Sequence, residues 1–337
     1  MRRTIGTFAV ASATAVALMA GPVVTSAQAD VRPAPSGQSV RVATYNILKA
    51  TGAGGKRSWT KRRAALARVM GATTPDVLLV QEASTKKWRG IRHIDDVNRV
   101  LGNAGYQITS TDYDSCTAGC TRGAHIFYNP ARMRMPALPS GAPAAGMAGI
   151  STVGLMAFGG VQDRNASWAF LTPAGSSRTS LYISVHLPTD KTAFAEELRL
   201  AVARQLRPWA DQLIAGSGLS GVEIVVGGDL NSYELRQPYG AQYALGSAGL
   251  IDGYTAPVKV NPNFGTINYT PKTKKYKGFP PRPYFYRYII PTRIDYVFST
   301  VPAERHEVVL FLKRNGKFMN KYRVSDHNMV MVDLPLQ

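Results

Sequence analysis

Apolar residues in this chain cluster in short continuous runs of the sort that form buried strands. The runs cover Val40 to Asn46, Asp76 to Val80, Tyr106 to Thr109, Ala124 to Tyr128, Ser167 to Leu171, Leu181 to His186, Val222 to Val226, Arg293 to Phe298, Val308 to Leu312 and Met329 to Leu334. Helical spacing takes over in a few places. Ser58 opens a helix through Met70 that carries Leu66, Val69 and Met70 on one face; a second runs from Ile94 to Leu101, and Ala193 to Ile214 is the longest. A Gly-Ser turn makes the strands around Phe170 and Ile183 neighbours, and the Pro-, Gly- and Ala-rich stretch from Pro136 to Gly149 reads as a surface loop. About ten strands and three or four helices, without an internal repeat, predict two sheets packed face to face with helices outside.

The polar residues at the edges of these runs carry the chemistry. Six runs bear one: Asn46 (VATYN), Glu82 (DVLLVQE), His186 (LYISVH), Asp229 with Asn231 (VEIVVGGDLN), Asp295 in mid-strand (RIDYVF), and Asp326 with His327 opening a strand (SDHNMVMVDL). Strand ends are where layered proteins build sites, so segments far apart in sequence are expected to converge on one pocket. In extended chain Asp229 and Asn231 point the same way, and Gly227 and Gly228 before them allow a bend or a close approach of a phosphate or metal. A hard divalent cation takes oxygen ligands and few protein carboxylates, for which Glu82 and Asp326 are the candidates. Asp295, in a neighbouring strand, can hold and polarise His327 as a base, and His186 can donate to a phosphoryl oxygen or protonate a leaving oxygen. A single strand-end Asp or Asn is more often a turn former, so the case rests on the set. His93, His125 and His306 have no such context and read as ordinary histidines.

The first 29 residues combine a charged start (Arg2, Arg3), an apolar stretch from Phe8 to Met19 and the small-residue site Ala27-Gln28-Ala29. This is the form of an export signal cleaved before Asp30, leaving 30–337 as one catalytic domain and placing the protein outside the cell. The apolar stretch is too short for a bilayer-spanning helix and no later segment qualifies, and a monomer is expected. Cys116 and Cys120 lie in one polar loop and, in an exported protein, read as a small local disulfide. Zinc there would need more partners than the nearby His125.

Taken together, ATYNIL, LLVQE, SVHL, GGDLNS, RIDYVF and SDHNM, in this order, resemble the endonuclease/exonuclease/phosphatase superfamily, the group of deoxyribonuclease I, apurinic endonucleases, inositol polyphosphate 5-phosphatases and bacterial sphingomyelinases. The resemblance covers nearly the whole mature chain and marks it as a secreted bacterial-type member. It implies an α+β fold, a four-layer α/β sandwich of two mainly antiparallel sheets flanked by helices, and a phosphoesterase dependent on magnesium, with manganese or calcium as substitutes. It further implies that Glu82 and Asp326 help bind metal, that Asp229 and Asn231 position nucleophile and phosphate, that Asp295 pairs with His327, and that Arg164 (DRNASWAF) contacts phosphate. Some members carry an acid where this chain has Leu48, so metal binding at that edge rests on Asn46 and Glu82. The reaction expected is in-line attack of water on a phosphodiester, with either His327 or Asp229 taking the proton.

Net charge decides the substrate expectation. The chain carries +19, and from Lys259 to Arg293 cations alternate with aromatic rings without one acid, Lys274, Lys275, Tyr276 and Lys277 at the centre. Cations for a phosphate backbone and rings for stacking suit nucleic acid, so a secreted nuclease is the leading reading. A phosphoinositide phosphatase or sphingomyelinase-like phospholipase is the alternative, although no strongly apolar hairpin for bilayer insertion is evident. An inactive anion-binding member is disfavoured because the set of polar residues is complete.

Overall fold

The computed structural model describes residues 39–50, 58–112, 123–137, 146–152, 165–234, 237–268, 292–313 and 318–336. In chain order the elements are β1 (Ser39–Asn46), α1 (Trp59–Thr73), β2 (Val77–Gln81), β3 (Lys87–Trp88), β4 (Ile91–Arg92), α2 (His93–Gly102), β5 (Gln107–Ile108), β6 (His125–Tyr128), β7 (Met133–Arg134) and β8 (Ala148–Thr152). There follow β9 (Asn165–Pro173), β10 (Ser180–His186), α3 (Ala193–Ser217), β11 (Glu223–Asp229), α4 (Ala241–Ser247), β12 (Ile251–Asp252), β13 (Val258–Val260), β14 (Asp295–Ser299), β15 (Arg305–Val308) and β16 (Val330–Pro335). Among these residues no helix is long and apolar enough to cross a membrane.

Two large sheets form among the described residues, one in the order β13-β15-β16-β1-β2-β6-β5 and the other β12-β14-β11-β10-β9-β7, with β8 also on β9, and β3 and β4 make a separate two-stranded ribbon. Most neighbours are antiparallel; β1 with β2, β10 with β11 and β13 with β15 are parallel. The predicted sandwich is therefore present, and period-two alternation explains it. Val42, Leu79, Tyr182, Val225 and Val297 face the layer between the sheets. Their neighbours Ala43, Leu78 and Val80 pack beneath α1 and α2 with Leu66, Val69, Ile94 and Val97. On the other side Leu181, Ile183, Ile224 and Val226 pack with Val202, Leu206 and Leu245 of α3 and α4. Strands covered on both faces have no exposed side, which is why their sequences run continuously apolar.

Several elements depart from expectation. The run Val308 to Leu312 is not one strand: β15 starts earlier, on Arg305-His306-Glu307, and Leu312 makes only an isolated bridge with Phe318. Arg305 pairs with Glu307 at 2.9 Å, so a buried strand is built from charged residues that an apolar scan passes over. Part of the predicted Pro136 to Gly149 loop is β8, where Gly149 lies against the Trp168 ring so closely that a Cβ would come within 2.9 Å of Nε1. Glycine there serves packing rather than a turn.

Candidate active site

Register alone brings three of the predicted residues into one row. Parallel β10 and β11 set His186 opposite Asp229, and antiparallel β14 begins where β11 ends, setting Asp229 opposite Asp295. In the other sheet Asn46 ends β1 beside Gln81, Glu82 follows β2, and β16 starts three residues after His327 opposite the end of β1. The sheets pack face to face with this edge in common. Asp295 is thus the first residue of its strand rather than a central one, and Asp326 and His327 precede β16 rather than open it.

Hydrogen bonds join the two sheets at the edge. Asn46 Nδ2 donates both to Glu82 Oε1 at 3.1 Å and to Asp229 Oδ2 at 3.0 Å, while its Oδ1 accepts from the Leu48 amide at 3.0 Å. Glu82 Oε2 accepts from the Lys49 amide at 2.8 Å. His327 Nδ1 bonds Asp295 Oδ2 at 2.8 Å, which leaves Nε2 facing Asp229 Oδ2 at 3.8 Å; His186 Nε2 lies 3.4 Å from that same oxygen. Asp229, Asn46, Asp295 and His186 are all at most 3% exposed. Asp326 accepts from Ser325 Oγ at 3.4 Å and interacts electrostatically with His327 and Tyr45. Glu82, Asp229, Asp295, Asp326 and His327 therefore belong to one constellation.

The charges in it are strongly perturbed. Burial works against ionising Glu82, but His186, the Lys49 amide, His327 and Asn46 outweigh it and hold the carboxyl below its usual range. Burial, then the charge of Asp295, pushes Asp229 up to about 7 against the pull of His327 and its hydrogen bonds. For His327 burial disfavours the cation, yet Asp295, Asp229 and Asp326 together raise it well above an ordinary histidine. Asp229, Asp295 and His327 offer ligand atoms within 4.8 Å of one another. Because Nδ1 of His327 is committed to Asp295, we read this trio as an acid–base relay. The oxygen-rich edge at Asn46, Glu82 and Asp326 beside it suits a hard divalent ion, which crowded buried carboxylates favour.

Asn231 reaches the site differently from the strand alternation expected. It adopts a left-handed conformation (φ 48°) just past β11, its amide donates to Asp229 Oδ1 at 2.9 Å, and its Nδ2 donates to the Leu187 carbonyl at 3.0 Å. Nor do Gly227 and Gly228 make room for a ligand. A Cβ on Gly227 would meet Leu79 Cδ1 at 2.5 Å, and one on Gly228 would meet the Val185 carbonyl oxygen at 1.9 Å, so these glycines let sheet pack on sheet and β10 close on β11.

A model of the endonuclease/exonuclease/phosphatase family matches residues 43–327, a span that contains every one of these site side chains. The chain belongs to the endonuclease/exonuclease/phosphatase family. No curated protein matches it closely. Solved structures similar to this family member include a mannosyl-6-phosphatase of Bacteroides thetaiotaomicron, at 21% identity over 88% of this chain and 99% of that one, TM-score 0.62. The human nocturnin catalytic domain with bound sulfate aligns at 19% identity over 88% and 93%, TM-score 0.55. Truncated TDP2 of Caenorhabditis elegans aligns at 16% over 88% and 97%, TM-score 0.53. At these identities the likeness is one of fold.

Several residues that support the site of this family member were missed in the sequence. Thr266 Oγ1 accepts from the amides of Ile294 and Asp295, at 3.0 and 3.2 Å, and the Asn268 amide donates to the Asp326 carbonyl at 2.7 Å. Gln81 Nε2 donates to Ser184 Oγ across the sheets at 3.2 Å, and Thr44 donates to Gln81 Oε1. Gln81 and Ser184 stand next to predicted residues in LLVQE and SVHL, which was the available signal. The histidines set aside, His93, His125 and His306, are all core residues. Arg164, the Cys116 and Cys120 expected to pair, residues 1–29 expected to be a leader, and Lys274, Lys275, Tyr276 and Lys277 lie outside the described residues. At the ends of the basic stretch, Arg293 is buried between Tyr254 and Tyr296 and paired with Asp252 and Glu234, and Lys259 lies over the Tyr254 ring. Arg293 therefore holds structure, which subtracts it from the predicted nucleic-acid groove, while Lys259 stays exposed.

Proposed function

We propose that this phosphoesterase-family protein is a divalent-metal-dependent phosphodiesterase acting as a nuclease outside the cell. The observation that carries the phosphodiesterase reading is the Asp295–His327 pair, whose Nε2 faces Asp229 across 3.8 Å beside the Asn46–Glu82 edge. A water, accepting from Nε2–H and donating to the carboxylate, can bridge a gap of that size. In this reading Glu82, Asp326 and Asn46 hold the cation, which when bound neutralises charge on the phosphate. Asp295 fixes the His327 tautomer so that Nε2 meets the phosphate. Asp229, held by Asn46 and the Asn231 amide, orients the attacking water, and His186 lies against it to donate to a phosphoryl or leaving oxygen. The net charge of +19 and the cations from Lys259 to Arg287, interleaved with aromatic residues, support a nucleic-acid substrate, and the leader read in residues 1–29 supports export.

The likeness to a structure named a mannosyl-6-phosphatase favours a second reading, a phosphomonoesterase. Purified protein should cleave DNA, RNA or bis-p-nitrophenyl phosphate with magnesium and lose that activity with a chelator. Turnover of p-nitrophenyl phosphate, sugar phosphates or inositol phosphates, with none of the diesters cut, replaces the nuclease by that second class, whereas release of choline phosphate from sphingomyelin, itself a diester, keeps the phosphodiesterase chemistry and replaces only the nucleic-acid substrate. Retained diester cleavage in Asp229→Asn with His327→Ala would remove the site from the mechanism altogether.

A further inference from the structure

Arg62 sits on α1 among Lys61, Arg63 and Arg68, in a basic cluster that reads in sequence as a solvated helix face. Its residue is fully buried instead. Nη1 donates to the carbonyls of Ile47 at 2.7 Å, Leu48 at 2.9 Å and Val324 at 3.2 Å, and Nη2 donates to that of Lys49 at 2.8 Å. Two of these carbonyls belong to peptide units whose opposite ends touch the site. The Ile47 carbonyl shares its peptide with the Leu48 amide, which donates to Asn46 Oδ1; the Leu48 carbonyl shares its peptide with the Lys49 amide, which donates to Glu82 Oε2. Between them Leu48 is held at φ 59°, a left-handed conformation that costs a non-glycine residue energy and persists only where its surroundings impose it. The same guanidinium ties down the carbonyl of Val324, two residues before Asp326.

We infer that Arg62 is a positioning residue for the metal-binding edge, acting through two peptide planes on Asn46 and Glu82 and through Val324 on the approach to Asp326. The inference rests on the reading above that these three side chains hold a divalent cation. A guanidinium suits the task because its planar fork serves several carbonyls at fixed angles, and a cation donating to one end of a peptide strengthens the hydrogen bond made by the other. A comparator lies on the helix layer of the second sheet: Arg199 of α3, equally buried, pairs with Glu196 and donates to the carbonyls of Pro188 and Asp190 in the loop after His186.

Binding of Mn2+ to the purified full chain, followed by electron paramagnetic resonance, tests the idea in wild type, Arg62→Met, Arg62→Lys and Arg199→Met. Groups that orient metal ligands without touching the metal are worth about 10–100-fold in affinity. Arg62→Met is expected to bind about tenfold more weakly or worse, with a native near-ultraviolet circular dichroism spectrum, while Arg199→Met stays within about twofold of wild type. Unchanged affinity in folded Arg62→Met, or an equal loss in Arg199→Met, overturns the inference. Should Arg62→Met not fold, Arg62→Lys decides, since its ammonium cannot serve four carbonyls at once: about threefold or greater weakening is expected, and wild-type affinity overturns it. Wild type that binds no Mn2+ sinks the metal reading itself, a separate outcome.

Discussion

Asp295 is the residue on which the proposed relay turns. With its Oδ2 removed from His327 Nδ1, the imidazole is free to take the wrong tautomer while the strand and its Thr266 contact stay in place. Asp295→Asn is therefore expected to lower kcat by about 10²–10⁴ with little change in KM, measured on bis-p-nitrophenyl phosphate under saturating magnesium. His125 and His306 have a different consequence, for stability. Burial pushes His125 down to about 4, and burial with the charges of Arg293 and Lys259 pushes His306 down to about 3. In the unfolded chain both titrate near ~6.5, so on acidification the unfolded state takes up protons first. Their contribution is complete above about pH 6.5 and drains away as pH falls towards those depressed values, at about 1.4 kcal/mol per histidine per pH unit. Urea unfolding at a series of pH values should show the decline, and His306→Phe, whose ring can keep the edge contact with Tyr254, should make it shallower.

At the scale of the element, the site is a product of strand pairing. His186, Asp229 and Asp295 are collected by the registers of β10, β11 and β14, and a slip of one residue would send them to opposite faces. Gly228 guards that register, because a side chain there would strike the Val185 carbonyl at a φ of 156°. Gly228→Ala is expected to destabilise the protein by about 2 kcal/mol or more and to cost activity in proportion to the displaced Asp229; thermal unfolding together with kcat measures both. Leu79, on the facing sheet, is the neighbour of Gly227 and can yield by changing rotamer, so Gly227→Ala should be milder. Strand existence was readable from the apolar runs, and the ends of β1, β10 and β11 were readable from Asn46, His186 and Asp229. β8, β12 and β13 were not, since β8 is built mostly of small residues, β12 and β13 are only two and three residues long, and their pairing comes from partners distant in sequence.

For the whole molecule, a cation bound only by the folded site would link function to stability. If Glu82 and Asp326 hold it, millimolar magnesium should raise the melting temperature of wild type by a few degrees and leave Glu82→Gln unmoved, as differential scanning fluorimetry can show. The sequence by itself determined the sandwich class and the residue types of the site, because buried strands must be apolar and a phosphoester site must be polar, so their junctions stand out in one dimension. Only the tertiary structure decided which polar groups meet: that Asn46 bridges Glu82 and Asp229, that Arg62 serves buried carbonyls instead of solvent, and that Arg293 holds Asp252 and Glu234. A charge on a helix or in a loop looks the same in sequence whether water or protein surrounds it, and the difference is made by packing between segments far apart along the chain.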